Sequence, residues 1–531
     1  MSKVGREIML LAIAVWTWAC AGEGEPAPNI TTNLTENISA AAAMQSQLGS
    51  SNVSNTLEAS MASGQQQRTQ APRLRGSVAR TAAPGADTEF PLRQLNGAGA
   101  SAAMELRACA DKEQCLLLVD NFLSSMPHQT VNQLVQTFGH VATGGGGPCG
   151  HFCELVPQCD GTTCRYDVYD NAVAAIYLTH RGKLQEARNI LDTFSGMLYN
   201  GGQLNLLYAA YASSGTPIDW NIDTGNNAWV GMAYAHFAAA SGEACYAAVG
   251  RSLLRRLATE AQCKDTLGGF MARLPRGKGK YRATEHNIDM YALARMLGDT
   301  DVQAQAGGFV RQMYGIDTQH PDSYATGTMG DSECDDRMND LSPVAADTQF
   351  WNLLSDADPE PARKRASLAS VLRPSSEGGL LEEDQDILGD GARLLGVRFT
   401  NMGSGAQWEN TASATMGMGY YLSVFGDEDA KLNEDLKSME NSLLHLLQEY
   451  GSVLASVRGG NFDAWRNGNT DPNYPGGSDT GLGWTYLRYP HTAATAWTGL
   501  MILEGNPFAP PQKPVPAADA PLPSGCPAGN P

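Results

Sequence analysis

Glu285 and Glu409 each stand in a short polar opening, Thr284-Glu285-His286-Asn287 and Trp408-Glu409-Asn410-Thr411, followed by an apolar run of helical length. Two carboxyls brought to one cavity can divide acid–base labour. The neutral one protonates a leaving oxygen, while the ionised one activates water or attacks carbon. Glu285 lies in the denser polar cluster, with His286, Asn287 and, one turn on, Asp289 to tune or anchor it. A carboxyl buried there has its pKa raised towards neutrality. Asp170 and Asp347 open similar runs and are second choices for the base, with Asp223 a third. Helix capping competes with chemistry at every one of these acids, because a first-turn carboxyl is favoured by the helix dipole and by free backbone N–H groups.

The elements that would position these residues form a repeat. Polar openings near residues 170, 226, 285, 347, 408 and 491 are separated by 56, 59, 62, 61 and 83 residues, and each begins an apolar helix. These helices are rich in Ala, Gly, Met and aromatics, as in Trp229, Met232, Ala233, His236 and Phe237, which predicts burial on more than one side. More charged helices near 111, 184, 243, 301, 361 and 428 carry a single apolar stripe, for example Leu184, Ala187, Leu191, Phe194 and Leu198. Six inner and six outer helices in alternation predict an all-α fold, an (α/α)6 toroid. A helical solenoid is the alternative, but the apolar inner layer needs the cover that a closed ring supplies. The long segments all precede inner helices, so in a ring they emerge at one mouth, where sites are commonly placed.

Five segments carry a resemblance: Tyr169 to Leu178, Thr224 to Trp229, Thr284 to Asp289, Trp408 to Thr411, and Pro490 to Trp497 with Asn506-Pro507-Phe508. Over about residues 105 to 510 the chain resembles the six-hairpin glycosidase-like superfamily, which includes glucoamylases, other glycoside hydrolases and sugar epimerases. The resemblance implies the toroid and a carbohydrate ligand; no catalytic pair of one characterised family aligns onto it. The expected enzyme is a glycoside hydrolase on a neutral oligo- or polysaccharide, with Glu285 as acid and Glu409 as base or nucleophile. Carboxyls about 5 Å apart would retain configuration and a separation of about 6.5 to 9.5 Å would invert it. Asn227, His286, Trp408, Trp465, Tyr474, Trp484 and His491 are the candidate sugar-binding residues, since rings stack on sugar faces and polar groups meet hydroxyls. Trp229, Trp351 and Trp497, inside helices, read as core.

Three rivals remain. A polysaccharide lyase would use the basic cluster Arg273, Arg276, Lys278, Lys280 and Arg282 against a uronate. An epimerase on the same toroid is the second, and a glycan binder or scaffold whose acids only cap helices is the third. The acidic run Asp331 to Asp340 offers calcium-type oxygens without EF-hand spacing. No Gly-rich phosphate loop and no Gly-x-Ser-x-Gly elbow is present.

A net charge of −19 argues against nucleic acid and anionic membranes as partners. Residues 1–20 have the basic, apolar and small-residue layout of a signal peptide, so the expected location is secreted or cell-surface, with a lipid on Cys20 as the rival to plain cleavage and the only membrane link. Residues 21–104 are too poor in apolar side chains to fold and read as a linker, with Asn-x-Ser/Thr triplets at Asn29, Asn33, Asn37 and Asn52. The toroid is expected over 105–510 and a Pro-rich tail over 511–531, in a monomer. Of eleven cysteines, Cys109/Cys115 and Cys245/Cys263 are plausible local pairs, with Cys334 and Cys526 left for each other. Cys149, Cys153, Cys159 and Cys164, with His151, suit disulfides or a zinc knuckle.

Overall fold

The computed structural model describes residues 106–517 apart from 107–108, 127–133, 136, 138–164, 201–202, 213, 276–279, 340–342, 427–428 and 460–476. The segments read from sequence as signal peptide and linker, the Cys149 to Cys164 cluster, Trp465, Tyr474, Arg276, Lys278, Asp340 and Cys526 lie outside the described residues.

Twelve α-helices run through the described residues. The outer ones are α1 (Lys112–Ser125), α3 (Leu184–Leu198), α5 (Ala244–Ala261), α7 (Thr300–Gln312), α9 (Pro361–Val371) and α11 (Ala430–Tyr450). The inner ones are α2 (Val168–His180), α4 (Thr224–Ser241), α6 (Thr284–Leu297), α8 (Ala346–Ser355), α10 (Trp408–Phe425) and α12 (Thr492–Leu503). Each inner helix packs on the next, and α12 packs back on α2, so the inner layer closes. Each outer helix lies on an inner one, with α1 completing the circuit against α12. This is an (α/α)6 toroid. No helix among the described residues is long and apolar enough to cross a membrane.

Composition explains the two layers. In α4 nearly every side chain from Thr224 to Ala239 is buried, whereas α3 buries only Ala187, Ile190, Leu191, Phe194, Ser195 and Leu198, one stripe at helical spacing. Small residues let inner helices approach closely: a Cβ on Gly231 of α4 would fall 2.6 Å from Leu293 of α6, and one on Gly499 of α12 would fall 2.4 Å from Tyr177 of α2. Four of the outer helices, α1, α7, α9 and α11, carry side-chain caps, such as Asp111 accepting from the Gln114 N–H at 2.8 Å and Asp299 from Val302 at 3.1 Å. Gly242, Gly298 and Gly426 end inner helices in the left-handed conformation that glycine adopts without strain.

The segment after α12 turns back into the ring. Asn506 donates to the Leu354 carbonyl at 2.8 Å, His236 donates to the Pro507 carbonyl at 2.9 Å, and Phe508 is fully buried against Trp229 and Trp351. On the mouth side, small sheets of two or three strands shape the long segments. The largest pairs β1 (Leu381–Gln385) with β2 (Arg393–Val397), and Arg458 ties it to the segment after α11 through Glu382 (2.6 Å) and Asp384.

Two disulfide expectations need correcting. Cys109–Cys115 forms, but Cys263 pairs with Cys334 rather than Cys245, and Cys334 is thereby unavailable to Cys526. The reason is topological: Arg282 donates to the Cys334 and Asp335 carbonyls (2.9 Å each), which brings the acidic run against the end of α5, where Cys263 lies. Cys245 is also disulfide-bonded.

Candidate active site

Each inner helix grips the backbone of the segment before it with one first-turn side chain. Asn171 accepts from the Val135 N–H (2.6 Å) and donates to its carbonyl (2.9 Å). Asn227 does the same to Leu207 (2.9 and 3.0 Å), Asn287 to Phe270 (2.8 and 3.0 Å) and Gln349 to Tyr324 (3.0 and 2.8 Å). In the last two repeats a hydroxyl substitutes: Thr411 accepts from Val397 at 3.0 Å and Thr495 from Val453 at 2.9 Å. These clamps fix a common register.

Two residues before the clamp stand Tyr169, Gly225, Glu285, Asp347, Glu409 and Ala493, and one before it Asp170, Asn226, His286, Thr348, Asn410 and Ala494. Two residues after it stand Val173, Trp229, Asp289, Trp351, Ser413 and Trp497. The positions two before and two after are four residues apart and share a helix face, so each clamp aims one residue at the mouth and a second one turn deeper. The deeper layer is aromatic: Trp229, Trp351 and Trp497 lie 5.4 to 6.1 Å from one another between ring centroids, and Tyr169 packs on the first two.

Above this layer opens a cavity of about 420 Å³, lined by Tyr169, Asp170, Asp223, Asn226, Glu285, His286, Asp347, Glu409, Trp484, Tyr486 and His491 among others. None of the acids in it caps a helix with its side chain: Asp167 and Asp223 hold the N-cap positions of α2 and α4 without a side-chain cap bond, and Asp170, Glu285, Asp347 and Glu409 lie in first turns. The residues that precede α2, α4, α6 and α8 are extended, and none makes a side-chain cap.

Burial separates the protonation of these acids. Glu285 is pushed well above the usual glutamate range by burial first, then by Asp347, Asp289, Asp223 and, most weakly, Glu409. Asp347 rises to about 6 through burial, held down by the Thr348 N–H and hydroxyl and by the Glu285 carboxyl. Glu409 rises to about 7 through burial, opposed by hydrogen bonds from Tyr169 and Gln407. Asp170 is driven well above its ordinary value by burial and then by Asp167 and Glu409. The shifts rank the acids: Asp347 at about 6 and Glu409 at about 7, with Glu285 and Asp170 raised well above the ordinary carboxyl range, which favours their protonated forms.

Two neutral imidazoles share the cavity. His491 accepts from the Ala494 N–H at Nδ1 (3.4 Å), so its proton is on Nε2, 3.4 Å from Asp170 Oδ2, and Nδ1 stands 3.8 Å from Glu409 Oε2. Burial lowers its pKa to about 3. His286 donates from Nδ1 to the Ala272 carbonyl at 3.0 Å, which leaves Nε2 as an acceptor, and burial again lowers its pKa. Two arginines complete the wall, each already paired: Arg165 with Asp167 (2.7 Å) and Asp219 (3.3 Å), Arg273 with Asp223 (2.8 Å).

Of the residues expected from sequence, Glu285, Glu409, Asp170, His286, Trp484 and His491 meet in this cavity. Asp289 does not line it. It lies one turn below Glu285, 1 % exposed, with neither carboxylate oxygen hydrogen-bonded. Gly225 makes room for it, since a Cβ there would fall 2.7 Å from Asp289 Oδ2 and 2.5 Å from His286. Asn227 is a clamp, spent on backbone. Trp408 is fully buried against Gly396, because it precedes Glu409 and so points away from the axis.

The basic cluster also dissolves: Arg282 is buried on Asp265 (2.7 Å), and of the cluster's described residues only Arg273 lines the cavity. In the acidic run, Arg337 donates to Asp335 (2.6 Å) and Asp331 (2.7 Å), and no described group of His, Cys, Asp or Glu is arranged to hold a metal ion. Arg165, Asp167 and Asn226 are cavity residues that sequence reasoning passed over. The Arg165-x-Asp167 pair directly before a helix opening was their only local signal.

No family model and no curated protein matches the chain. Among solved structures, it is similar to a family 76 glycoside hydrolase from a bovine Bacteroides thetaiotaomicron strain (10% identity, 74% of this chain and 76% of that one, TM-score 0.46). It is also similar to cellobiose 2-epimerase from Spirochaeta thermophila (13%, 73% and 94%, 0.46) and to a D-mannose isomerase (11%, 74% and 96%, 0.47).

Proposed function

We propose that the chain is a glycoside hydrolase acting on a neutral oligo- or polysaccharide, with Glu285 as general acid and Glu409 as the carboxylate opposite it. One observation carries the reading: Glu285, Asp347 and Glu409 occupy the same register position on three successive inner helices and converge on one cavity, where burial raises their pKa values to different degrees. Acid–base roles follow such separation. Asp347 favours the protonated form of Glu285 more than the other neighbouring acids do, which makes it a poor counterpart across a scissile bond, and Glu409 favours it least of the acids that raise it. Glu285 gives its proton to the leaving oxygen. Glu409 then accepts a proton from water or attacks the anomeric carbon, and Trp484 and Tyr486 offer ring faces to the sugar.

The disulfides Cys109–Cys115 and Cys263–Cys334 support an oxidising, extracytoplasmic location. Glu285→Gln and Glu409→Gln should each lower kcat at least about a hundredfold on a cleaved glycan, the usual scale for general acid–base groups. Full activity in both would remove the hydrolase reading. A second reading is favoured by His286 and His491: neutral imidazoles beside a sugar suit proton transfer at carbon, as in an epimerase. Incubation of reducing sugars in deuterated water separates the two, because only an epimerase places deuterium on carbon 2.

A further inference from the structure

Beside the main cavity lies a second chamber of about 230 Å³. Ile316, Asp317, Thr318 and Gln319, from the segment after α7, form one wall, and Thr326, Gly327 and Asn339 line both chambers. The strip they share is backbone. Gly327 lies so close to α6 that a Cβ would fall 2.0 Å from the Arg282 carbonyl oxygen, and its φ of 152° independently calls for glycine. Hydrogen bonds hold the strip rigid: the Thr284 N–H donates to Thr326 O (2.8 Å) and the Asn339 N–H to Gly327 O (3.2 Å). The Thr326 hydroxyl is buried there without a partner.

Position and chemistry name an occupant. The strip is bonded to Thr284, the residue next to Glu285, so the second chamber opens on the side of the proton donor. A group leaving with the Glu285 proton departs to that side. Among the described residues, the chamber's lining offers hydroxyl, amide and backbone groups with the apolar Ile316 and Met338, one carboxylate in Asp317, and no Lys or Arg. Such a lining suits an uncharged sugar ring and repels a uronate. We infer that the second chamber is a leaving-group subsite for one neutral sugar residue, so that the natural substrate is an oligo- or polysaccharide rather than a simple glycoside. This rests on the hydrolase reading.

Thr318→Trp on the full chain tests it, because Thr318 is exposed and a large ring there fills the chamber without disturbing the core. The substrates are gluco-, manno- and xylo-oligosaccharides of two to six units, set against the glycosyl fluorides of the same sugars, whose one-atom leaving group does not reach the chamber. The expected result is a kcat/KM at least tenfold lower on the oligosaccharides, with fluoride turnover within twofold of the parent. Unchanged oligosaccharide turnover, or equal losses on both, overturns the subsite. If the parent cleaves neither class, the hydrolase reading has failed on its own, and calorimetric binding of the same ladder decides. An affinity gain with added units that Thr318→Trp erases upholds the chamber, and its absence overturns it.

Discussion

Two halves of the ring use one register differently. In α6, α8 and α10 the mouth-facing position holds Glu285, Asp347 and Glu409, while in α12, α2 and α4 it holds Ala493, Tyr169 and Gly225. The clamps that set this register are present in both halves, each accepting from the same kind of backbone partner at 2.6 to 3.0 Å. Scaffold and chemistry are thus separable: the clamp aims a position, and the residue placed there decides what it does. The half without a carboxyl at this position is not inert. Tyr169 accepts from the Trp497 indole at 2.8 Å and restrains Glu409, and Gly225 leaves the space that Asp289 and His286 fill.

If the clamps belong to the scaffold alone, breaking one in either half should cost the same. Asn287→Ala and Asn227→Ala each strand a buried backbone N–H and a carbonyl, at about 1 to 3 kcal/mol per group, so each should lower unfolding free energy by about 2 to 5 kcal/mol. Chemical denaturation of the two variants reads this. A much smaller loss in Asn227→Ala would mean that the halves differ in construction as well as in chemistry.

Asp347→Asn sharpens the contrast within the carboxyl half. The Asp347 charge raises the Glu285 pKa, so removing it lets Glu285 lose its proton at lower pH, and the alkaline limb of kcat/KM should move down the pH scale. The acid limb, set near 7 by Glu409, should move little, because burial is the larger cause there. The variant's loss relative to the parent should therefore be greatest on the alkaline side of the optimum and smallest on the acid side. An unshifted profile would remove Asp347 from the account of how Glu285 keeps its proton.

The repeat was legible because apolar inner helices and charged outer ones differ in composition, and long segments precede only the inner ones. Its fine register was not. Aligned by their polar openings (Tyr169 to Ala172, Asn226 to Trp229, Thr284 to Asn287, Ala346 to Gln349, Trp408 to Thr411 and Pro490 to Ala493), the third, fourth and fifth repeats put Asn287, Gln349 and Thr411 in one column, and these are true clamps. In the same alignment Asn171 falls one place early, Asn227 two places early, and Thr495 lies beyond the last column. Side chains that grip backbone look, in sequence, like side chains that grip ligand, which is how Asn227 came to be a binding candidate. Arg165 stayed hidden for a related reason: its partner Asp219 is far along the chain, and only the fold brings them within 3.3 Å.

The smallest expected effect separates two tryptophans that sequence alone could not. Trp484 lines the cavity, resting edge-on against Phe399 at 5.6 Å, while Trp408 is buried one residue before Glu409 with its indole N–H unpaired. Trp484→Ala should raise KM about three- to tenfold, the scale of one lost aromatic contact, with little change in kcat. Trp408→Phe keeps most of the buried ring and removes an unsatisfied donor, so KM should stay within twofold of the parent and stability within about 1 kcal/mol. Reversal, with Trp408→Phe raising KM and Trp484→Ala silent, would place the sugar behind α10 and break the register on which the two halves are compared.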